Sequence, residues 1–576
     1  MKILGLNVFH ADTSACIIKD GKLIAAVEEE RFTRIKHFTG FPKNSIDFCL
    51  KEGNLRLNEL DLISVNYNKN YNLNEKLIFS LKNFFSSDVF NRAIHSLRKS
   101  SLKENFLKFY GVDIEKKIQY IPHHLSHVSS SFHYHEINNA IGFSIDGSGD
   151  FSTTEIYKID INQGFELIEK VNYPHSLGIF YQAMTQFLGF KNYGDEYKVM
   201  GLAPYGQPIY KDRIKKIIIP NRTFFELNLK YFDHHKTVID YDFNSGVPFF
   251  EDLYSIELEK LFGKSRKYNE EITNFHMNIA ASLQEVFEDI IINKLNKVYD
   301  KFKIKNLCLS GGCIFNSSLN GKIENKTKFE NIFLSPNVGD AGGSIGSALY
   351  VASKNKQKIK YNKSPYLGTH YSDKEIEKKI IPMINNLSNL KAEYHENFDE
   401  LCRVVTNSIV NNGVIGWFQD KMEWGPRALG NRSILGDPRN PNMREIINLK
   451  IKRREEFRPF APSVLEEEAE KYFYIKNPSP FMTSVFQVKN DVIEKIPAVV
   501  HVNKTARVQT ISREDNNKYY TLINKFYEAT GIPMLLNTSL NVDEPICENP
   551  NNAFEVFTKT SMDMLVLQNW VLSKNS

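Results

Sequence analysis

The chain has no window of about 18 uninterrupted apolar residues, so no membrane-spanning helix is expected. Its opening, "MKILGLNVFHAD", has neither an apolar signal region nor a cleavage site, and a cytoplasmic location is expected. Cysteine is sparse: Cys16, Cys49, Cys308, Cys313, Cys402 and Cys547 are scattered and no two form C-x-x-C. That argues against a disulfide framework or a thiolate zinc site and suits a reducing compartment. Excess charge of one sign is lacking too. A net charge of +5 over 576 residues does not imply a nucleic-acid partner, and none is expected. What is present is ordinary for a globular protein, 42% hydrophobic and 24% charged residues, in a chain too long for one core. Two domains, or three, are expected.

A pattern recurs along the first 351 residues. "KILGLNV" is apolar, "HADTSA" a turn, and "CIIKD" and "KLIAAVEEE" flank a hairpin turn at Asp20-Gly21. "AIGFSID", "GSGDFSTT" and "EIYKIDI" repeat the strand, small polar turn, strand order. "NLCLSGGCIFNSSLNGKI" and "NIFLSPNVGDAGGSIGSALYVA" each run from strand through a glycine turn into a helix. Strand, Gly/Asp turn, strand in two halves marks the two-lobed actin-like and sugar-kinase ATPase fold, an α/β architecture. Its turns need small residues because backbone N–H groups approach phosphate oxygens closely. Gly147, Gly311, Gly312 and Gly342 are therefore nucleotide-binding candidates, with ordinary glycine turns as the plainer alternative. Asn316 and Asn320 follow the Gly311-Gly312 turn and could meet ribose or adenine, or serve as helix caps. Residues 352–373 are polar, carry Pro365 and Gly368, and read as a linker. Residues 374–576 alternate helices ("FDELCRVVTNSIV", "NMREIINLKIKRR", "YYTLINKFYEAT") with strands ("VIGWFQD", "MLLN"), which suggests a second α/β domain.

"IPHHLSHVSSSFHYH" holds five of the fifteen histidines. His123 and His127, four apart, share one face if the segment is helical. Two imidazoles with a carboxylate suit a divalent ion. Asp146 and Asp340, in corresponding turns of the two halves, are candidate third and fourth ligands. A wet, histidine-rich helix face that binds nothing is the alternative, and His124, His133 and His135 are read that way. In the second domain, "EWGPRALGNRS" sets Arg427 and Arg432 among glycines, "KIKRREEFR" holds five basic residues in nine, "TARVQ" adds Arg507, and "NTSLN" adds Asn537 and Ser539. Arginine's planar fork suits phosphate. Arg427, Arg432, Lys452, Arg458, Arg507, Asn537 and Ser539 are the candidate phosphate pocket. Arg453 and Arg454, followed by Glu455 and Glu456, read as solvated surface.

These motifs together resemble the carbamoyltransferase family, which includes nodulation-factor, cephamycin and tobramycin O-carbamoyltransferases. The likeness rests on "GLNVFHADTSACII", "AAVEEERFTRIKHFTGFP", "IPHHLSHVSSSF", "SIDGSGD", "GDEYKVMGLAPYG", "LSGGCIFNSSLN" and "SPNVGDAGGSIGSA". Later come "WGPRALGNRSILGDPR", "IKRREEFRPFAPSV", "ARVQTI" and "LLNTSLN", all in order. The resemblance implies an N-terminal domain similar to the universal tRNA threonylcarbamoyl-transfer protein. There His123, His127, Asp146 and Asp340 would hold one metal, usually iron as Fe(II). It implies a C-terminal YrdC-like domain where ATP, with Mg2+, and carbamoyl phosphate form carbamoyl-adenylate, with Lys452 and Arg458 acting on the reacting phosphates. A hydroxyl of a sugar or secondary metabolite would then accept the carbamoyl group. Family members read H-D in the first turn where this chain reads "HADTSA", so the catalytic base is left open between His10 and Asp12. Asp12, Glu196 and Lys198 are candidate acceptor contacts, a surface loop being the alternative for the last two. A homodimer is left open. A tRNA threonylcarbamoyl enzyme and a non-catalytic ATP-binding regulator or sugar kinase are the competing readings.

Overall fold

The computed structural model describes residues 1–82, 101–221, 224–236, 241–242, 246–248, 251–362, 364–384, 387, 389–452 and 454–574. The chain divides into two units, Met1–Asn362 and Lys363–Ser576. The division falls inside the segment read as a linker. Its first residues finish a helix that runs to Lys354, and Lys360 pairs with Lys22.

In the first unit Lys2–Asn7 (β1) is buried at every position after Lys2, as expected of a strand covered on both faces. It pairs antiparallel with Ser14–Lys19 (β2), and β2 with Lys22–Glu28 (β3). The β2–β3 turn is the expected Asp20-Gly21, with φ +50° and +75°, the left-handed pair a tight hairpin requires. Leu62–Val65 (β4) and Ile118–Tyr120 (β5) add in parallel, giving the order β3-β2-β1-β4-β5. The second sheet repeats this plan. Asn139–Gly149 (β6), Ser152–Asp160 (β7) and Gly164–Asn172 (β8) form an antiparallel meander. Asn306–Ser310 (β9) and Asn331–Phe333 (β10) then add in parallel on the far side of β6. Two sheets of identical order make this the two-lobed actin-like fold that the repeated turns predict.

The helices used below are Lys43–Glu52 (α1), His123–Phe132 (α2), Leu177–Phe187 (α3), Glu196–Leu202 (α4), Asn274–Phe302 (α5), Ser317–Lys326 (α6) and Gly342–Lys354 (α7). α7 is wedged between β1 and α2. A Cβ at Gly5 would lie 2.1 Å from the Ser344 carbonyl oxygen, and one at Gly346 would lie 1.8 Å from that of Ser126. The two glycines thus let three backbones approach, and they bring Asp340, two residues before α7, against the histidines of α2.

The second unit is also α/β. Its strands are Leu390–Tyr394 (β11), Ile415–Phe418 (β12), Arg432–Gly436 (β13), Ala461–Leu465 (β14), Val485–Gln487 (β15), Thr505–Arg507 (β16), Gln509–Ile511 (β17), Met534–Ser539 (β18), Met564–Leu567 (β19) and Trp570–Lys574 (β20). Eight of them form a mixed sheet, β11-β20-β19-β12-β13-β18-β14-β17, and β15 and β16 a separate ribbon. Phe398–Val410 (α8), capped by Asn397, and Asn517–Thr530 (α9), stopped by left-handed Gly531, match the expected helices. The expected helix over "NMREIINLKIKRR" is shorter. An α-helix covers Met443–Ile447 and widens to a π-helical turn at Asn448–Lys452, an irregularity common beside functional groups. Among the described residues no helix is long and apolar enough to cross a membrane.

Candidate functional site

α2 is buried along its whole length and presents His123 and His127 to the ends of β6 and the loop before α7. Their Nε2 atoms lie 3.0 Å apart. His127 Nε2 is 3.1 Å from Asp146 Oδ2 and 3.3 Å from Asp340 Oδ1, and His123 Nε2 is 3.8 and 3.6 Å from the same oxygens. One ligand atom from each of the four side chains lies within 4.8 Å of the other three. Burial works against protonating His127, but the two carboxylates prevail and lift it to about 9. Burial would raise Asp146, yet His123 and His127 hold it well below the usual carboxylate range. Two ring nitrogens facing each other at hydrogen-bond distance need a proton or a cation between them. Two imidazoles and two carboxylates are a donor set suited to a divalent ion, so the residues fit the expected metal. The other histidines are not a wet face. His124 and His133 are buried, pushed by burial to about 3 and about 4, and His124 Nδ1 pairs with Ser144 Oγ at 2.7 Å. His135 meets the Leu334 carbonyl oxygen at 2.9 Å.

The glycine turns line the same place. Gly312 N–H donates to Asp146 Oδ2 (2.9 Å), and Gly147 N–H to Asp146 Oδ1 (2.7 Å). A side chain at Gly147 would meet open space, whereas one at Gly311 (φ +92°) would collide with the Ile145 backbone and one at Gly342 with the Asn337 carbonyl. Packing thus already explains glycine at 311 and 342. Asn316 has both amide atoms paired with Gln284 on α5 (2.9 and 3.0 Å) and caps α6 through Leu319 N–H. Asn320 donates to the Ile314 carbonyl and is buried. The helix-capping alternative therefore describes Asn316, and Asn320 braces the turn through the Ile314 carbonyl.

The first turn joins two groups of side chains. His10 Nδ1 lies 3.3 Å from Asp340 Oδ2, so His10 belongs with the metal cluster. Two residues on, Asp12 (φ +58°) places Oδ1 2.8 Å from Nδ1 of His37 (φ +55°). No motif singled out His37. Its signal was the "EEERFTRIKHF" stretch within the motif that carries the family resemblance, whose acidic residues prove to be braces. Glu28 accepts from Asn337 Nδ2 (3.0 Å), Glu29 caps α1 through Asn44 and Ser45, and Glu30 accepts from His37 N–H (2.8 Å). Glu196 opens α4, is pushed by burial up to about 7, and lies in the field of His37. Lys198 is buried, with Nζ 3.0 Å from Asp195 Oδ1, and braces its own loop.

In the second unit the basic residues sort differently than expected. Arg432 is fully buried on β13. Its Nη1 donates to the carbonyls of Gln419 and Asn431, its Nη2 to those of Thr369 and Asp420, and it stacks 3.5 Å over Phe418. It holds the loop, and the expected phosphate role is corrected accordingly. Lys452 is buried under the 539–541 loop, donating to Ser539 O (2.6 Å) and to Asn541 O and Oδ1 (2.8 and 2.6 Å), while Ser539 Oγ donates to Asn541 Oδ1 (2.7 Å). Asn537 joins a buried network with Ser463 and Gln509. Arg454, read as solvated, is instead an electrostatic neighbour of Arg507 together with Arg427 and Arg458, and Arg453 lies outside the described residues. Burial first, then these three charges, push Arg507 well below the usual arginine range. Such crowding favours an anionic ligand. Glu423, missed from sequence, shapes the Arg427 loop: one buried carboxylate oxygen accepts from Leu429, Asn431 and Arg432 N–H (2.8, 2.7 and 3.0 Å). Arg432→Met leaves the Gln419 and Asp420 carbonyls without a donor and should cost the second unit about 3–5 kcal/mol. Urea unfolding checks this, and an unchanged midpoint would contradict the bracing role.

With a divalent-ion donor set in one unit and an arginine cluster in the other, comparison with known proteins assigns the class. The chain belongs to the carbamoyltransferase family: residues 2–349 match the carbamoyltransferase N-terminus and residues 406–574 the carbamoyltransferase C-terminus. It is 34% identical over 583 residues to the nodulation protein NolNO of Sinorhizobium fredii, covering 99% of this chain and 80% of that protein. It is 37% identical over 622 residues to the uncharacterized protein sll1178 of Synechocystis sp., covering 100% and 97%. Among solved structures it is similar to full-length HypF in the phosphate- and nucleotide-bound form, at 16% identity and a TM-score of 0.32, covering 63% of this chain and 47% of HypF.

Proposed function

We propose that this carbamoyltransferase moves a carbamoyl group from carbamoyl phosphate, by way of carbamoyl-adenylate, to a hydroxyl of a sugar or secondary metabolite. The observation that carries the reading is the partition of charge: a crowded guanidinium cluster in the second unit and a two-histidine, two-aspartate cluster in the first. Carbamate is a poor electrophile, so its oxygen must become part of a good leaving group. Carbamoyl phosphate and water give carbamate and phosphate. A carbamate oxygen attacks the α-phosphorus of ATP, and pyrophosphate leaves with the bond pair. Arg427, Arg454, Arg458 and Arg507 would hold the phosphates of the two substrates, with Mg2+ accompanying ATP. Lys452 and Glu423 would keep their loops in register.

In the first unit His123, His127, Asp146 and Asp340 would hold the divalent ion, Fe(II) by family resemblance, whose chemistry is to polarise the carbamoyl carbonyl. Gly147 and Gly312 would leave room for the adenylate phosphate beside Asp146. The acceptor class follows from the family resemblance.

Incubation with ATP, labelled carbamoyl phosphate and a panel of methyl glycosides and aminosugars, read by mass, tests the reading. A gain of one carbamoyl group that requires ATP is expected. Equal transfer without ATP would exclude the adenylate route.

A further inference from the structure

We propose that Asp12 takes the proton of the incoming hydroxyl and that His37 is the positioning residue that aims it. This deepens the transfer reading above and rests on it. The first turn offers two candidates for the base, and the structure separates them. His10 faces Asp340 at 3.3 Å with Nδ1, and its Nε2 is buried without a partner, so its ring is committed to the metal cluster. Asp12 gives only Oδ1 to His37, at 2.8 Å, and its side chain is 25% exposed. Its second oxygen is available to a hydroxyl.

The pair is held from several directions. Asn7 Nδ2 donates to the carbonyls of Ala11 (3.1 Å) and Asp12 (2.7 Å), fixing the turn from inside. Phe9 N–H donates to Gly40 O (3.0 Å), Thr13 N–H to Phe38 O (3.1 Å), and Gly40 N–H to Thr13 Oγ1 (3.2 Å). The turn and the 37–40 segment are therefore one hydrogen-bonded piece, and Glu30 fixes the backbone of His37 from the far side. The His37 ring stands edge-on to Tyr193 at 5.0 Å, and a side chain at Gly194 would reach within 2.5 Å of its Nε2. Both groups belong to the loop that leads into Glu196.

The first turn links this pair to the metal cluster. Asp340 meets His10, and the turn leads to Asp12 and His37. His37 lies in the field of Glu196, and Cys313 lies in the fields of Glu196 and Asp146. Gly312 N–H then returns to Asp146 and the histidines. Asp12 thus lies two residues from His10, which touches the metal cluster through Asp340.

Asp12, Glu30 and Glu196 outweigh burial and raise His37 to about 9, so near neutral pH its Nδ1–H is donated to Asp12 Oδ1 and Oδ2 is left as the acceptor. In the step, the hydroxyl oxygen bonds to the carbamoyl carbon and its proton goes to Asp12 Oδ2. The bond from that carbon to the adenylate oxygen breaks, and AMP leaves with the electron pair.

The test is a double-mutant cycle on the full chain, with water and glycerol as hydroxyl probes. It follows AMP release after the pyrophosphate burst. Asp12→Asn should slow AMP release by about 10²- to 10⁴-fold. His37→Ala should slow it about ten- to a hundredfold, mainly in kcat, and His37→Gln, whose amide can donate the same bond, should recover part of that loss. The double variant should be no slower than Asp12→Asn alone, because the two residues act as a unit. Losses that multiply would overturn the proposal. A second readout needs no turnover: in ¹⁵N-histidine spectra the Nδ1–H signal lost in His37→Gln should shift in Asp12→Asn, and an unmoved signal would overturn it. A wild-type protein that releases no pyrophosphate would instead sink the adenylate reading, leaving the spectra to decide the pair.

Discussion

His127→Ala is expected to go on releasing pyrophosphate for one turnover yet to lose carbamoyl transfer by about 10³-fold. Several kcal/mol of charge stabilisation at the carbonyl is at stake, and each 1.36 kcal/mol is about tenfold. The reasoning starts from position. His127 is fully buried on α2, with both carboxylates within 3.3 Å of its Nε2, and the arginines are in the other unit. Losing it removes one of four donor atoms without touching the arginine cluster. The purified wild type should carry about one divalent ion per chain, and the variant a small fraction of that. Metal analysis beside circular dichroism checks both statements. Active wild-type protein free of metal, or a variant with wild-type metal content, would contradict them.

Arg507→Ala is expected to fail earlier, at pyrophosphate release. Arg507 ends β16 in a half-buried position and is crowded by Arg427, Arg454 and Arg458, so a phosphate there gathers charge-assisted contacts from several sides. Losing one such contact costs about 1.5–3 kcal/mol, roughly ten- to a hundredfold. Metal content should stay at the wild-type level. Single-turnover pyrophosphate measurement separates the two variants: if His127→Ala loses the burst as fully as Arg507→Ala, the two half-reactions share one site and the division is wrong.

The features legible from sequence were those written in local pattern. Gly/Asp turns between apolar strands recur in both halves because both sheets are built on the same order. Of the four metal candidates Asp146 stands at such a turn, whereas His123 and His127 are on α2 and Asp340 is in the loop before α7. The features not legible were those that depend on what a side chain meets across the fold. Arg432 sits among glycines and looked free, but β13 turns it inward onto four carbonyls. Arg454 is followed by two glutamates and looked solvated, but the π-helical turn before it carries the segment toward Arg507. Lys452, at the end of that turn, is committed to the 539–541 loop. Asp12 and His37 are 25 residues apart, and their left-handed backbones and the hydrogen bonds between the first turn and the 37–40 segment bring them together. Glu423 carried no motif signal of its own, since its three acceptor bonds exist only once the loop closes on it.

The measurement that bears most directly on the two-step account is ³¹P NMR of the full chain with ATP and carbamoyl phosphate, followed through one turnover and then with a hydroxyl acceptor added. Attack at the α-phosphorus yields inorganic phosphate and pyrophosphate first, with AMP appearing as the acceptor is consumed and no ADP at any stage. Formation of ADP would place the attack at the γ-phosphorus and make the chain a kinase-type enzyme, contradicting carbamoyl-adenylate as the intermediate.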